Sequence, residues 1–220
     1  MRGPSIIGQR GNQTRRCFLR RTAVLAAAVP AATLLAPSAR AEDTAEIVRD
    51  FHDIQRHEND HVAFLLKALG DRARPEPNFQ NLEQATFTAF ANVTRALENT
   101  GVGAYLGALP VINNRAYIAA AGSIAQIEAR HAGWINTLSS HNITMNLFGD
   151  EQSFERPLTI DEVVGSASPF IVDLAGGPPL TFDPTPSDAN DIAILNFALA
   201  LEYLEAEFYN INVPKFLDPP

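Results

Sequence analysis

Cysteine is almost absent from this 220-residue chain: the single one, Cys17, lies in an N-terminal segment that reads as removable. The rest therefore has no disulfide, no thiolate nucleophile and no Cys-ligated zinc or iron–sulfur site, and must hold by packing alone. Basic residues are scarce in the same body. Seven of the 17 Lys and Arg but none of the 25 Asp and Glu fall in residues 1–41, so the remainder carries 10 basic against 25 acidic side chains, a net of −15. Nucleic acid and anionic lipid both need clustered Lys and Arg, which excludes them as partners and makes cations the natural ones. A long apolar run is missing too. The Ala-rich stretch Ala23 to Ala36, broken by Pro30, is too short and too weakly apolar for a lasting membrane span, so no stable membrane anchor is expected. No internal repeat at a short fixed period is present.

What the first 41 residues do contain is an ordered address. Thr14-Arg15-Arg16-Cys17-Phe18-Leu19-Arg20 supplies a positive region, Ala23 to Ala36 a moderately hydrophobic one, and Ala39-Arg40-Ala41 a small-x-small cleavage site. The paired arginines followed by Phe-Leu closely resemble the twin-arginine export motif. Residues 1–41 are thus expected to be a cleaved signal peptide, and the mature protein to reach the periplasm or the medium already folded.

Helical periodicity dominates the remainder, residues 42–220. Helices are expected over Glu46 to Leu69, Asn81 to Gly101 (closed by Gly101-Val-Gly103), Asn114 to Leu138, and Asp188 or Asp191 to Asn210, stopped by the Pro-rich end from Pro214. Between the third and fourth lies a crossover linker, 141–187. It is broken by Gly176-Gly-Pro-Pro179, Pro184 and Pro186, with room for one short helical turn over Thr159 to Val164 and no core of its own. Four such helices make an all-α bundle.

The informative residues are the polar ones on the apolar stripes. Advancing by threes and fours, the line 47, 51, 54, 58, 61, 65 aims Glu58 and His61 where Ile54 and Leu65 point. The line 117, 121, 124, 128, 131, 135, 138 does the same for Glu128 and His131. Glu98 falls on 87, 91, 94, 98, 101, 105, and Glu202 on 192, 195, 199, 202, 206, 209. Buried carboxylates without partners cost several kcal/mol or take up protons, so four aimed at one core require a shared counterion. Two Glu-x-x-His pairs plus one Glu from each other helix form the ligand set of a carboxylate-bridged dinuclear site in a four-helix bundle. Oxygen-rich, nitrogen-poor ligation suits two iron or manganese ions. Glu205 and Glu207 flank Glu202 and leave the fourth helix's ligand open; the seven-residue step from Glu202 to Tyr209 favours Glu202. Tyr105 and Tyr209 are candidates for hydrogen bonds to the ligands. His57 lies off the line, as an outer partner or a surface residue, and His52 and His141 read as surface residues.

Four segments carry a family resemblance. Phe51-His-Asp-Ile-Gln-Arg-His-Glu-Asn-Asp-His-Val62, Leu97-Glu-Asn-Thr-Gly-Val-Gly-Ala-Tyr-Leu-Gly107, Ile124-Ala-Gln-Ile-Glu-Ala-Arg-His131 and Ile194-Leu-Asn-Phe-Ala-Leu-Ala-Leu-Glu-Tyr-Leu-Glu-Ala-Glu-Phe-Tyr209 resemble the helices of exported ferritin-like domain proteins of the desiccation-related type. The resemblance implies a ferritin-like four-helix bundle, with Glu202 and Tyr209, Glu58 and His61, Glu98, and Glu128 and His131 in the family's ligand positions. It also implies a departure in order. The family's first helix stands last here, giving 2-3-4-1, as in a circular permutant; a truncated tandem protein and a swapped homodimer are the rival explanations.

The expected function is an exported protein holding a dinuclear iron or manganese centre that reacts with oxygen or peroxide, with a stress role implied by the resemblance. The alternative is a non-enzymatic protective protein of the envelope with a vestigial site. A dinuclear hydrolase is disfavoured, because Arg130 alone offers no anchor for a charged substrate.

Overall fold

The computed structural model describes residues 40–218, with side chains from residue 44 onward; the twin-arginine motif and the apolar stretch after it lie outside the described residues. Four long helices, α1 (Arg40–Leu69), α2 (Phe87–Ala108), α3 (Arg115–Leu138) and α5 (Asp188–Leu217), form a bundle. The shorter α4 (Ile160–Ala167) lies in the linker. A two-stranded antiparallel ladder joins β1 (Asn78–Phe79) to β2 (Ile171–Asp173). Among the described residues no helix is long and apolar enough to cross a membrane.

The starts of α2 to α5 each have a local cause. The Thr86 hydroxyl accepts from the Ala89 amide, the Asn114 side chain from Ala116, and the Ser187 hydroxyl from Asn190, so each satisfies an otherwise orphaned amide of a first turn. Thr159 and Glu162 form a reciprocal capping box that extends the expected single turn of the linker to the two turns of α4. Helix α5 begins at Asp188, one residue after Ser187; the carboxylate of Asp191, the later of the two expected starts, accepts from the Asn113 and Asn114 amides at 2.7 and 2.8 Å. It thereby ties the start of α3 to α5.

Helix α5 is the central element. Its buried residues surround the whole circumference, from Ile194, Leu195 and Phe197 to Phe208, Tyr209 and Val213. One end of the bundle is closed by an aromatic cluster in which Phe51, Phe90, Phe208 and Tyr209 pack with Leu97 and Ile135. Toward the other end, Leu65 and Leu69 of α1 meet Leu195 and Leu199, while Tyr105, Ala121 and Ile124 meet Ile194. Three buried asparagines of α5 tie down the loops around it. Asn190 accepts from Asp183, Asn196 accepts from the Arg74 amide and donates to the Arg72 carbonyl, and Asn212 accepts from Gln84 and donates to Leu82.

Helix α1 starts at Arg40 rather than Glu46, and three further features differ from the sequence reading, each of these three through a tertiary contact. First, α2 does not start at Asn81, because residues 81–84 are held against α5 through Asn212, and it does not end at Gly101 but runs to Ala108. Its glycines serve close approach: a Cβ on Gly103 or Gly107 would collide with Leu158, whose amide donates to the Gly103 carbonyl at 2.9 Å. Second, Pro214 lies inside α5, which continues to Leu217. Pro214 removes a helical hydrogen bond, but Phe216 stacks on Phe90 and Lys215 reaches Glu83 and the Gln84 carbonyl, so contacts across the bundle hold the last turn. Third, the linker does build a small core, with Leu158 and Val163 packed on Phe197.

Because the linker seats on α2 through glycines, Gly107→Val should push it off. The expected cost is about 1–3 kcal/mol in chemical denaturation, with faster proteolytic cleavage within residues 141–187. Unchanged stability and unchanged cleavage would contradict this account of α2.

Candidate metal centre

The stripes place Glu58 and His61 on α1, Glu98 on α2, Glu128 and His131 on α3 and Glu202 on α5 at one level, between the aromatic end and the aliphatic end. Glu58, Glu98 and Glu128 are fully buried, and Glu202, His131 and His61 are nearly so. His61 Nδ1 lies 3.1 Å from Glu58 Oε2, 3.1 Å from Glu128 Oε1 and 3.2 Å from Glu202 Oε2. His131 Nδ1 lies 3.0 Å from Glu58 Oε1 and 3.1 Å from Glu98 Oε2. One N–H cannot serve three oxygens. Glu58 Oε1, both oxygens of Glu128 and Glu202 Oε2 are accordingly buried without a hydrogen bond.

Two overlapping groups offer ligand atoms within 4.8 Å of one another: Glu58, His61, Glu128 and Glu202, and Glu58, Glu98, Glu128 and His131. Glu58 and Glu128 belong to both, which is the arrangement of two cation positions sharing two bridging carboxylates. Glu202 and Glu98 stand at the outer ends, one beside each imidazole. The orphaned buried oxygens and the oxygen-rich donor set fit a pair of cations, whose four positive charges would match four carboxylates.

Around this centre three side chains, Tyr105, Tyr209 and His57, hold the ligands from outside. The Tyr105 hydroxyl donates to Glu202 Oε1 and the Tyr209 hydroxyl to Glu98 Oε1, so each end carboxylate is fixed by one tyrosine. His57, half-buried, stacks on His131 with ring centroids 5.2 Å apart, and its Nδ1 lies 3.0 Å from His131 Nε2. With His131 Nδ1 turned to the carboxylates, its Nε2 is left to hydrogen-bond His57 Nδ1 from outside, which sets the ring orientation. Burial, with His131 and Arg56 nearby, pushes the His57 pKa down.

Of the three glutamates that spacing left open, Glu202 reaches the cluster and Glu207 does not. Glu205 is also buried, yet it stands outside both groups. Burial and then the neighbouring Glu128 and Glu58 push its carboxyl well above the usual range. Its place three residues after Glu202 was the only sequence signal for it. His52 pairs with Asp218 at 2.9 Å and His141 is exposed, both away from the centre.

Residues 22–141 and 190–218, more than half of the chain, match the family model described as a ferritin-like domain. The chain belongs to the ferritin-like domain family. No curated protein and no solved structure matches it. The family match leaves out residues 142–189, nearly all of the linker.

Without cations, the centre resolves its charge with protons. Burial pushes Glu58 and Glu128 up. Burial alone would lower the two histidines, but the carboxylates around them prevail: His61 is raised, and His131 is raised to about 11. All four groups hold protons more tightly folded than unfolded. Their contribution is complete below the unfolded pKa values and is lost as pH rises toward the folded ones. Cations displace those protons and reverse the slope in acid. Melting temperatures taken between about pH 5 and 9 should therefore fall with pH for chelator-treated protein, whereas after iron or manganese loading they should rise to about pH 7 and then level off. Parallel profiles would contradict the site.

Proposed function

We propose that this ferritin-like protein binds two iron or manganese ions and uses them to react with oxygen or peroxide. The observation that carries the reading is the pair of overlapping four-residue groups sharing Glu58 and Glu128, in a core where four carboxylate oxygens otherwise accept no hydrogen bond. Glu98 with His131 and Glu202 with His61 would complete the two positions. Such ions, when bound, supply one electron each to an oxygen-derived substrate.

The chain's own residues perform the remaining tasks. Tyr105 and Tyr209 hold Glu202 and Glu98 in place through their hydroxyls. His57 orients His131 from outside. The aromatic cluster around Phe51 and Phe90 and the aliphatic one around Leu65 and Leu199 keep bulk water away from the carboxylates. The absence of clustered basic residues in the body leaves no anchor for a phosphorylated or otherwise strongly anionic substrate.

Protein produced in metal-replete medium should carry about two iron or manganese ions per chain, and Glu128→Ala, which removes a ligand from both positions, should lower this to well under half an ion. Elemental analysis decides. Less than about a tenth of an equivalent in correctly folded parent protein would reduce the centre to a buried polar network.

The reading extends to export through the twin-arginine route, to envelope stress protection and to a permuted 2-3-4-1 helix order, supported by the Arg15-Arg16 segment and the resemblance of the α5 sequence to the family's first helix. Replacing Arg15 and Arg16 with Lys should leave precursor inside the cell, while the parent is processed to begin at Glu42. Unchanged secretion of the double variant would rule out the route.

A further inference from the structure

Helices α1 and α3 run antiparallel, side by side. Phe51 packs on Trp134, His57 on His131 and His61 on Glu128, so each step toward the C-terminus of α1 meets a step toward the N-terminus of α3. Further along the same pair, Asp60, His61 and Phe64 line a groove with Ser123 and Ile127. Phe64 is 44% exposed there. A second hollow, of about 450 Å³, shares Ser123 and Ile127 with this groove and adds Ile118, Gly122, Gln126 and Arg130.

Two features of this face have no cause among the described residues. The first is Gly122. A glycine inside a helix weakens it, and the other glycines of the bundle helices are there for close approach: a Cβ on Gly101, Gly103, Gly107 or Gly133 would come within 3.2 Å of Glu128, Leu158 or Ile143. A Cβ on Gly122 would meet nothing within 4 Å. The second is charge. In a body with 25 acidic against 10 basic side chains, α3 exposes no acid at all, because its single one, Glu128, is buried.

A second copy of this chain accounts for both. A two-fold axis parallel to the helices keeps every residue at its level and sets α1 of one copy against α3 of the other. Phe64 is level with Ser123 and so comes to the partner's Gly122, whose hollow exceeds the roughly 150 Å³ that takes a benzene ring. Asp60, beside Ile127 in the groove, comes toward the partner's Arg130, so the rims that meet carry opposite charge. Each contact is made twice, once in each direction, which is the self-complementarity of a closed dimer. The acid-free strip lets two acidic bodies meet without setting like charge against like. His61, at 8% the most exposed of the six candidate ligands, lies in the groove that the partner covers.

We propose that the α1–α3 face is a homodimer interface in which Phe64 of each copy seats over the partner's Gly122. Sedimentation of chelator-treated protein, which keeps the outcome independent of the metal centre, should give a dimer at about 10 µM chain. Gly122→Lys, which has open space within its own chain, and Phe64→Asp should each raise the dissociation constant about a hundredfold, with the parent's helical circular dichroism kept. Mixing the two variants in equal amounts should restore dimers, because one contact then pairs the introduced charges and the other is the parental one. A parent that stays monomeric overturns the proposal and leaves the face to a different protein. Dimers that survive both substitutions, or a mixture that stays monomeric, overturn the pairing of Phe64 with Gly122.

Discussion

Four glutamate carboxylates converge on two imidazoles in a core that bulk water does not enter, and the rest of the structure is arranged around that crowding. Glu58, Glu98 and Glu128 have no exposed surface at all. Negative charge at that depth is tolerable only if protons or cations occupy the same space. Protons are the poorer answer, because His61 Nδ1 faces three oxygens with one hydrogen and leaves others unserved. A pair of cations would engage the orphaned oxygens together.

This constraint explains why the last helix is the central one. Glu202 completes the position beside His61 only when α5 sits among α1, α2 and α3, and the helix is held there around its whole circumference. The bundle grips one side through Leu195, Leu199 and Phe208, while the linker covers Phe197 through Leu158 and Val163. The linker is therefore more than a return path. Docked on the glycines of α2, it packs Leu158 and Val163 against Phe197 of α5, and Phe182 meets the same ring edge-on.

The centre was legible in the sequence because it obeys the same geometry as the core. A helix face repeats by threes and fours, so Glu58 and His61, or Glu128 and His131, could be placed wherever Ile54 or Ile135 was placed. Features set by contacts between distant segments were not legible. Gly101 and Gly103 look like a helix stop, but they are helical because Glu128 and Leu158 need the space a side chain would take. Pro214 looks like a terminator until Phe216 is seen stacked on Phe90. The β1–β2 ladder pairs segments too short for any periodicity to show. Glu205 and His57 lie beside the stripes, where spacing alone cannot separate a surface residue from one that faces the site.

The most direct measurement is anomalous X-ray diffraction at the iron and manganese edges from crystals of protein isolated without chelators. Two peaks are predicted inside the bundle, one beside Nδ1 of His61 and one beside Nδ1 of His131, both in contact with Glu58 and Glu128. A map with no peak among these residues, or with metal only at the surface, would contradict the claim that shared cation charge holds the four carboxylates together.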